Sequence, residues 1–306
     1  MSDLRLGILG LSPGNGHPYS WSAIFNGYEP EAMADCGFPA IPDYLSRQSF
    51  PADAIAGARV THVWTQDEAL SQKVAAAARI PYVAPTPEAM IGHVDAILLA
   101  RDDAENHLAL ARPFLAAGLP IYIDKPLALS RAGAEALFAL EQRAGQIFSC
   151  SALLHAPEMR LSDGQKASLG DIRHVSARVP KSWAKYAIHV VDPILAALGD
   201  AAAGPPRDVC LFRPGRDGHD DGALTVSFRF ENGPSCTIEA LGEVAAPIEV
   251  GYFGTAGFCQ TSFRDSFTAF RAALEVFLAD SVKGRVSARD RLFRAVEIVS
   301  LGHRDT

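Results

Sequence analysis

Short apolar runs alternate with helical patterns along the first half of the chain. Val94–Ala100 is a run of strand length that is apolar except for Asp95, and Ile121–Asp124 has the β-type composition of a pleated strand. Segments of helical length separate these runs, and this alternation predicts a parallel, doubly wound sheet. We therefore predict an α/β fold in which residues 1–150 form a Rossmann domain. The predicted strands are Leu4–Gly10, Val60–Trp64, Pro81–Val83, Val94–Ala100, Ile121–Asp124 and Ile147–Ala152.

The second half has a different pattern. Strand-like runs between residues 173 and 261 are separated by turns such as Gly233-Pro234, and one helix is predicted around Val190–Leu198. Two helices end the chain, and the last is predicted to begin with a capping box at Ser287–Asp290. Residues 151–306 are thus predicted to form an α+β domain with a large, mostly antiparallel sheet. A length of 306 residues also favours two domains.

A glycine-rich loop follows the first predicted strand and precedes a short helix around Tyr19–Asn26. This order of strand, turn and helix is that of a dinucleotide-binding unit. The glycine fingerprint itself is broken, because Ser12 and Asn15 stand where it requires glycine. Serine can still bind a phosphate, and a plain glycine turn remains an alternative. The residues of this loop expected to contact a dinucleotide are Gly10, Ser12, Gly14, Asn15, Gly16 and His17.

Residues 28–59 separate this helix from the second strand. They are rich in proline and aromatic residues, and an unstructured connection of this length is unusual. We expect an ordered insertion near the mouth of the nucleotide site, and the alternative is an insertion that only buries itself.

Asp67 follows the second predicted strand, where a carboxylate can bind the ribose of a dinucleotide. It could equally be the N-cap of the helix that follows. A carboxylate at the ribose would repel a 2′-phosphate, so NAD is favoured over NADP as the cofactor.

Lys125 lies at the carboxyl end of the fifth predicted strand, in the segment Ile121–Pro126. In open α/β sheets, ligands bind beyond the carboxyl ends of the strands. Proline at 126 also favours an extended conformation for the lysine. Lys125 is thus a candidate site residue, although a solvated lysine at a strand end is the simpler interpretation.

Composition narrows the possible partners. The net charge of −7 is spread without long runs, which argues against nucleic acid and anionic membranes and favours a small-molecule partner. The five cysteines are scattered without metal-ligand spacing. The chain shows neither a signal peptide nor an apolar run long enough to span a bilayer, and we expect a cytoplasmic protein.

Several ordered motifs resemble the Gfo/Idh/MocA family of nicotinamide-dependent oxidoreductases over nearly the whole chain. His107 begins a helix after the fourth strand, and residues 117–126 (AGLPIYIDKP) resemble that family's Glu-Lys-Pro segment, with Asp124 in place of glutamate. Leu169–Ile172 resembles the start of its C-terminal domain. Residues 186–199 (YAIHVVDPILAALG) resemble its active-site helix, with His189 and Asp192.

The resemblance implies an enzyme that binds NAD or NADP and assembles as a homo-oligomer, a dimer or tetramer. It implies that Lys125 and His189 are catalytic: the lysine stabilises charge on a substrate oxygen, and the histidine moves the proton. It also extends the expected cofactor contacts to Asp67, Arg101, His107, Asp124 and Lys125.

The chain departs from the family pattern near His189. Lys185 stands four residues earlier, where the family commonly has aspartate, and His155 stands where arginine is frequent. Pro193 predicts a helix that begins there, with Asp192 as its N-cap. A cationic pocket for an acidic substrate is suggested by Lys125, Lys181, Lys185, His155 and His189, although Lys185 could extend into solvent. The expected substrate-binding residues are His155, Lys185, Tyr186 and Asp192.

The predicted function is hydride transfer between NAD(P) and a secondary hydroxyl or ketone of a sugar-like, possibly acidic substrate. Two alternatives remain open. The same fold could use bound NAD for elimination or hydrolysis without net redox change, or it could sense dinucleotides or bind a partner without catalysis.

Overall fold

The computed structural model describes residues 3–214, 222–282 and 289–303. The chain divides into two compact units. The first unit comprises Met1–Ala128, Ala132–Ser149 and Ser266–Ser287, and the second comprises Leu129–Arg131, Cys150–Asp265 and Ala288–Thr306. The sequence-based boundary at 150 assigns residues 266–282 to the second domain, whereas the structure groups them with the first unit.

The helices and strands are numbered in chain order. Within the described residues, the α-helices α1–α11 are His17–Asn26, Pro30–Ala34, Ala40–Leu45, Glu68–Ala77, His107–Ala116, Arg131–Phe138, Asp163–Leu169, Trp183–Tyr186, Ile188–Leu198, Ser266–Phe277 and Arg289–Ser300. The strands β1–β12 are Leu4–Leu9, Ala58–Trp64, Tyr82–Val83, Ala96–Leu99, Ile121–Ile123, Ile147–Phe148, Ile172–Val179, Pro206–Phe212, Leu224–Phe230, Ser235–Ala240, Glu249–Gly254 and Phe258–Ser262. Short 3₁₀ helices span Pro87–Met90, Ala104–Asn106, Ala152–Leu154, Pro157–Met159, Gly199–Ala202 and Leu301–His303, and a π-helical turn spans Leu278–Val282. The predicted capping box at Ser287–Asp290 begins outside the described residues.

The first unit is built on a parallel six-stranded sheet of order β3-β2-β1-β4-β5-β6. This is the strand order of a Rossmann fold, and it confirms the predicted doubly wound sheet. The central strands are buried on both faces, since all four residues of β4 and all three of β5 are buried. Continuous apolar runs, rather than alternation, are the pattern such strands require. The carboxyl ends of β1, β4 and β5 therefore share one edge of the sheet.

The second unit is built on a six-stranded sheet of order β12-β11-β7-β10-β9-β8. Only the β7–β10 pair is parallel among its described pairings, and the others are antiparallel. The predicted mixed, mostly antiparallel sheet is thereby confirmed. Polar and apolar residues alternate along β9 and β10, as expected of strands with one covered face. Phe253 and Phe258 stack on each other and are 44% and 77% exposed.

Helix α10 completes the core of the first unit. Phe267 contacts the Phe50 ring edge-on, Phe270 contacts the rings of His17 and Trp21, and Phe277 contacts those of Tyr122 and Phe148. These phenylalanines recur at helical spacing and mark the apolar face of this helix.

Two prolines lie inside helices. Helix α5 continues through Pro113 to Ala116. The prediction that Asp192 caps a helix beginning at Pro193 is wrong, because α9 begins at Ile188 and contains both residues. Asp192 and Pro193 are both buried, so tertiary packing outweighs the cost of an interior proline.

The insertion at residues 28–59 forms the short helices α2 and α3. Part of it lies against the glycine-rich loop: a Cβ atom on Gly16 would come within 2.7 Å of the Phe38 ring and 2.6 Å of Ile41 Cδ1. The insertion therefore supports this loop from one side.

Candidate active site

The loop between β1 and α1 has free space next to its backbone at Gly14. Gly14 has a φ of 80°, and a Cβ atom there would meet nothing within 4 Å. A Cβ on Gly10 would instead lie 2.2 Å from Pro18 Cγ. Among the described residues, the backbone amides of Gly14 and Gly16 have no hydrogen-bond acceptor. Close backbone approach and unused amide donors are the features that bind the diphosphate of a dinucleotide, so the loop suits this cofactor despite its broken fingerprint.

Gln66, at the end of β2, clamps this loop to the sheet. Its Oε1 accepts a hydrogen bond from Leu11 N at 3.1 Å, and its Nε2 donates to Leu11 O at 2.8 Å. Arg101 Nη1 donates to the same Oε1 at 2.9 Å. The sequence analysis considered only the neighbouring Asp67. Gln66 could have been found in the same way, because both residues follow β2.

Asp67 caps helix α4, one of the two roles that the sequence left open. Its Oδ1 accepts a hydrogen bond from Leu70 N at 3.0 Å. The side chain is exposed. The capping geometry uses one carboxylate oxygen, so the ribose role remains a prediction that depends on the other oxygen.

Asp124 is the hub of a buried hydrogen-bond network. Its Oδ2 accepts from Asn15 Nδ2 at 2.8 Å and lies 2.6 Å from His17 Nδ1, and its Oδ1 accepts from Lys125 N at 2.8 Å. Burial by itself would raise the pKa of Asp124. The contacts with His17, Lys125 and Asn15 outweigh that effect and lower the pKa to about 2. Asp124 therefore stays ionised and ties the glycine-rich loop to the end of β5.

Lys125 is also nearly buried, at 6% exposure. Its Nζ lies 3.7 Å from Asp102 Oδ2. Ser12 Oγ donates to Asp102 Oδ1 at 2.6 Å. Asp102 thus links the lysine to the glycine-rich loop. Sequence reasoning missed Asp102, although it follows β4 at the edge where ligand-binding residues are expected.

His107 and Arg101 shape the loop after β4. His107 is completely buried, with Nδ1 3.1 Å from Leu127 O and Nε2 2.8 Å from Arg101 O. The Arg101 guanidinium donates to Asp103 at 2.9 Å as well as to Gln66. Both residues were expected to contact the cofactor. In the structure their polar atoms instead hold neighbouring segments in place.

In the second unit, a chain of contacts leads to His189. Ser151 Oγ lies 2.8 Å from His189 Nδ1, and Ser151 N donates to Asp192 Oδ2 at 2.6 Å. The other oxygen of Asp192 is paired with Arg291. With both oxygens bonded and no exposure, Asp192 holds protein groups rather than facing a ligand. Ser151 and Arg291 were missed by sequence reasoning. Ser151 follows β6 and could have been found for that reason. The sequence around Arg291 does not mark it as a site residue.

The other expected substrate contacts lie on or near α8. Lys185 is exposed, and Tyr186 packs edge-on against His189 with ring centroids 5.1 Å apart. Lys181 Nζ donates to Tyr186 Oη at 2.7 Å. One turn of helix therefore brings Tyr186 and His189 together and leaves Lys185 in solvent contact.

His155 does not add a positive charge at neutral pH. Burial, together with the nearby charges of Arg160 and Arg291, lowers its pKa to about 4. Its Nε2 is buried and has no hydrogen-bond partner within the described residues. The cationic pocket predicted from the sequence thus loses one of its members.

The pKa of His155 predicts how stability depends on pH. The unfolded chain binds a proton at this histidine near pH 6.5, whereas the folded chain does so only near pH 4. The free energy of unfolding should therefore fall as the pH is lowered through this window, by on the order of 2 kcal/mol from this group. We expect His155→Gln to flatten that part of the curve in urea denaturation between pH 7 and 4. Parallel curves for the two proteins would contradict this assignment.

Comparison with known proteins gives a family match for part of the chain. Residues 43–151 match the family GFO_IDH_MocA, described as an oxidoreductase family with an NAD-binding Rossmann fold. This match confirms the resemblance inferred from the sequence and is consistent with a divergent member of that family. No curated protein matches the chain in sequence.

Solved structures share the fold over almost the whole chain. UDP-N-acetylglucosamine 3-dehydrogenase GnnA from Acidithiobacillus ferrooxidans has a TM-score of 0.71 at 17% identity, covering 98% of this chain and 96% of its own. Apo scyllo-inositol dehydrogenase from Lactobacillus casei has a TM-score of 0.71 at 14% identity, covering 99% and 96%. GenD2 from gentamicin A biosynthesis, in complex with NAD, has a TM-score of 0.70 at 16% identity, covering 98% and 93%. At these identities the likeness is one of fold.

In the described parts of the chain, every helix is too short or too polar to cross a bilayer.

Proposed function

We propose that this chain, whose residues 43–151 belong to the Gfo/Idh/MocA family of NAD-binding oxidoreductases, transfers hydride between a nicotinamide dinucleotide and a secondary hydroxyl or ketone of a sugar-like substrate. The observation that carries the proposal is the glycine-rich loop. Its backbone is open at Gly14, and its Ser12 is linked through Asp102 to Lys125 at the carboxyl edge of a Rossmann sheet. Ligands of such sheets bind at that edge.

Two side chains have chemical roles in this proposal. The bound nicotinamide supplies or accepts the hydride. The Lys125 ammonium stabilises negative charge on the substrate oxygen, and its burial strengthens that effect because water screens it little. His189 carries the acid–base role, as the family resemblance implies.

The substrate class is supported by two observations. Several proteins of the same fold are named as dehydrogenases of inositols or of a nucleotide sugar, which are polyhydroxylated compounds. Lys185 and Lys181 add positive charge beside Tyr186, and this supports recognition of an acidic group. NAD is the favoured cofactor because the Asp67 carboxylate, if it binds the ribose as predicted, would repel a 2′-phosphate. The exposed Phe253 and Phe258 support the expected homo-oligomer, which sedimentation equilibrium would test.

The first experiment is a thermal-shift titration with NAD, NADH, NADP and NADPH. We expect stabilisation by one nicotinamide pair, amounting to about 2.7 kcal/mol at 100 times its dissociation constant. Gly14→Val should weaken that binding about tenfold or more, because its side chain would occupy the space next to the loop amides. Gly92→Val is the matched control, since Gly92 has a φ of 85° and equally open surroundings but precedes β4 at the opposite edge of the sheet.

The outcomes separate the proposed function from its alternatives. Binding followed by a change in nicotinamide absorbance with a polyol or sugar acid supports the oxidoreductase. Turnover without net absorbance change would favour elimination or hydrolysis, and binding without turnover would favour a sensor. Equal rates on neutral sugars and their acid analogues, unchanged by Lys185→Ala, would contradict the acidic substrate. No shift with any dinucleotide would overturn the proposal.

A further inference from the structure

We infer that Ser151 is a positioning residue that holds neutral His189 in the tautomer with its proton on Nε2. The functional meaning of this state rests on the proposed acid–base role of His189. The tautomer itself follows from the hydrogen bonds around Ser151 and can be measured without substrate or cofactor.

The backbone of Ser151 is fixed from two sides. Its amide donates to Asp192 Oδ2 at 2.6 Å, and Arg291 holds the other oxygen of that carboxylate. Asp192 is completely buried, and both of its oxygens are occupied by these partners. Ser151 also begins the 3₁₀ turn Ala152–Leu154, where its Oγ accepts a hydrogen bond from Leu153 N at 3.3 Å. The hydroxyl therefore has little freedom to move away from the histidine.

The proton of this hydroxyl needs an acceptor. Ser151 is 0% exposed, so water does not provide one. Within the described residues, the only acceptor in reach of Oγ is His189 Nδ1, at 2.8 Å. The large majority of buried polar side-chain atoms are hydrogen-bonded, and an acceptor in reach stabilises the hydroxyl proton. Ser151 therefore donates to Nδ1 while accepting from Leu153 N, which satisfies both functions of the hydroxyl.

This bond decides which nitrogen of the ring carries the proton. A neutral imidazole has one N–H, and a nitrogen that accepts a hydrogen bond cannot be the protonated one. Nδ1 is the acceptor, so Nε2 bears the proton. In this state His189 offers a donor to a substrate oxygen, the arrangement that stabilises a carbonyl or alkoxide. For Nε2 to accept a proton, the ring must first carry its proton on Nδ1, and the Ser151 hydroxyl then loses its acceptor.

Nitrogen-15 NMR of histidine-labelled protein tests the inference at about pH 8, above the ordinary histidine pKa. The His189 signals are identified by their loss in His189→Gln. We expect Nε2 to be protonated and Nδ1 unprotonated in the wild type. In Ser151→Ala the ratio of tautomers should move toward Nδ1–H by roughly 2- to 10-fold, the equivalent of one hydrogen bond. Ser151→Thr keeps a hydroxyl and should retain the wild-type signals.

Ser227→Ala is the matched control, because it removes a hydroxyl bonded to Thr237 Oγ1 elsewhere in the second unit. It should leave the His189 signals unchanged. A protonated Nδ1 in the wild type would overturn the inference, and so would an unchanged ratio in Ser151→Ala. The wild-type spectrum is decisive even if the alanine variant does not fold. A protein with the expected tautomer but no dinucleotide binding would refute the proposed function and leave this inference standing.

Discussion

Lys125→Met is expected to lower kcat/KM by about 100- to 1,000-fold, the usual cost of removing one group that stabilises an oxyanion. Methionine keeps the length and the apolar stem of the side chain but loses the ammonium. The ammonium is nearly buried beside Asp102, so water cannot replace its charge. Steady-state kinetics with a polyol or sugar acid that the wild type turns over would measure this loss. Dinucleotide binding, measured by thermal shift, should change much less than turnover.

Lys73→Met provides the matched control for this substitution. Lys73 lies on α4 in the same unit and is exposed. Its replacement should leave kcat/KM within experimental error of the wild type. If Lys125→Met kept more than a tenth of the wild-type activity, Lys125 would have no role in the chemical step.

Asp124→Ala is expected to destabilise the protein by about 3–5 kcal/mol, as is usual when one partner of a buried ion pair is removed. The substitution leaves Asn15 Nδ2, His17 Nδ1 and the Lys125 amide without their common acceptor. Dinucleotide affinity should fall as well, since Asn15 and His17 belong to the glycine-rich loop. Urea denaturation and thermal-shift titration measure the two effects.

The contribution of Asp124 to the free energy of unfolding should depend on pH. The pKa of Asp124 is about 2 in the folded protein and near 3.8 when unperturbed. The ionised form is favoured by folding, so this contribution is fully present above about pH 4 and is lost as the pH falls toward 2. Asp43→Ala is the matched control. Asp43 is 62% exposed in its pair with Arg47, so its loss should cost at most about 1 kcal/mol. Equal costs for the two substitutions would contradict the role of Asp124.

The two sheets could be predicted because their patterns are local. The continuous apolar run around β4 and the alternation along β9 each encode the surroundings of a strand. The start of α9 could not be predicted in this way. The preference of Asp192 for an N-cap is outweighed by partners distant in sequence, Ser151 and Arg291.

The residues of the candidate site likewise differ in whether the local sequence marks them. Lys125 and Asp124 were found because they directly follow a strand with recognisable composition. Asp102, Gln66 and Ser151 were missed because their importance arises from hydrogen bonds that span 38–90 residues of chain. His107 was identified through the family motif. Its ring bonds then show that it holds the loop after β4 in place.

The return of α10 to the first unit has a consequence for the order in which the protein is made. Phe267, Phe270 and Phe277 pack on rings encoded within the first 148 residues, but most of the second unit, Cys150–Asp265, is translated before them. A nascent chain that has left the ribosome only as far as residue 150 therefore exposes Trp21 and Tyr122, which become buried when α10 arrives. Domains usually fold as units during synthesis, with the N-terminal one first. In this chain the Rossmann unit is begun first and completed late. Its early segment therefore keeps an apolar surface exposed while more than a hundred further residues are translated. Chaperones can bind that surface during this time.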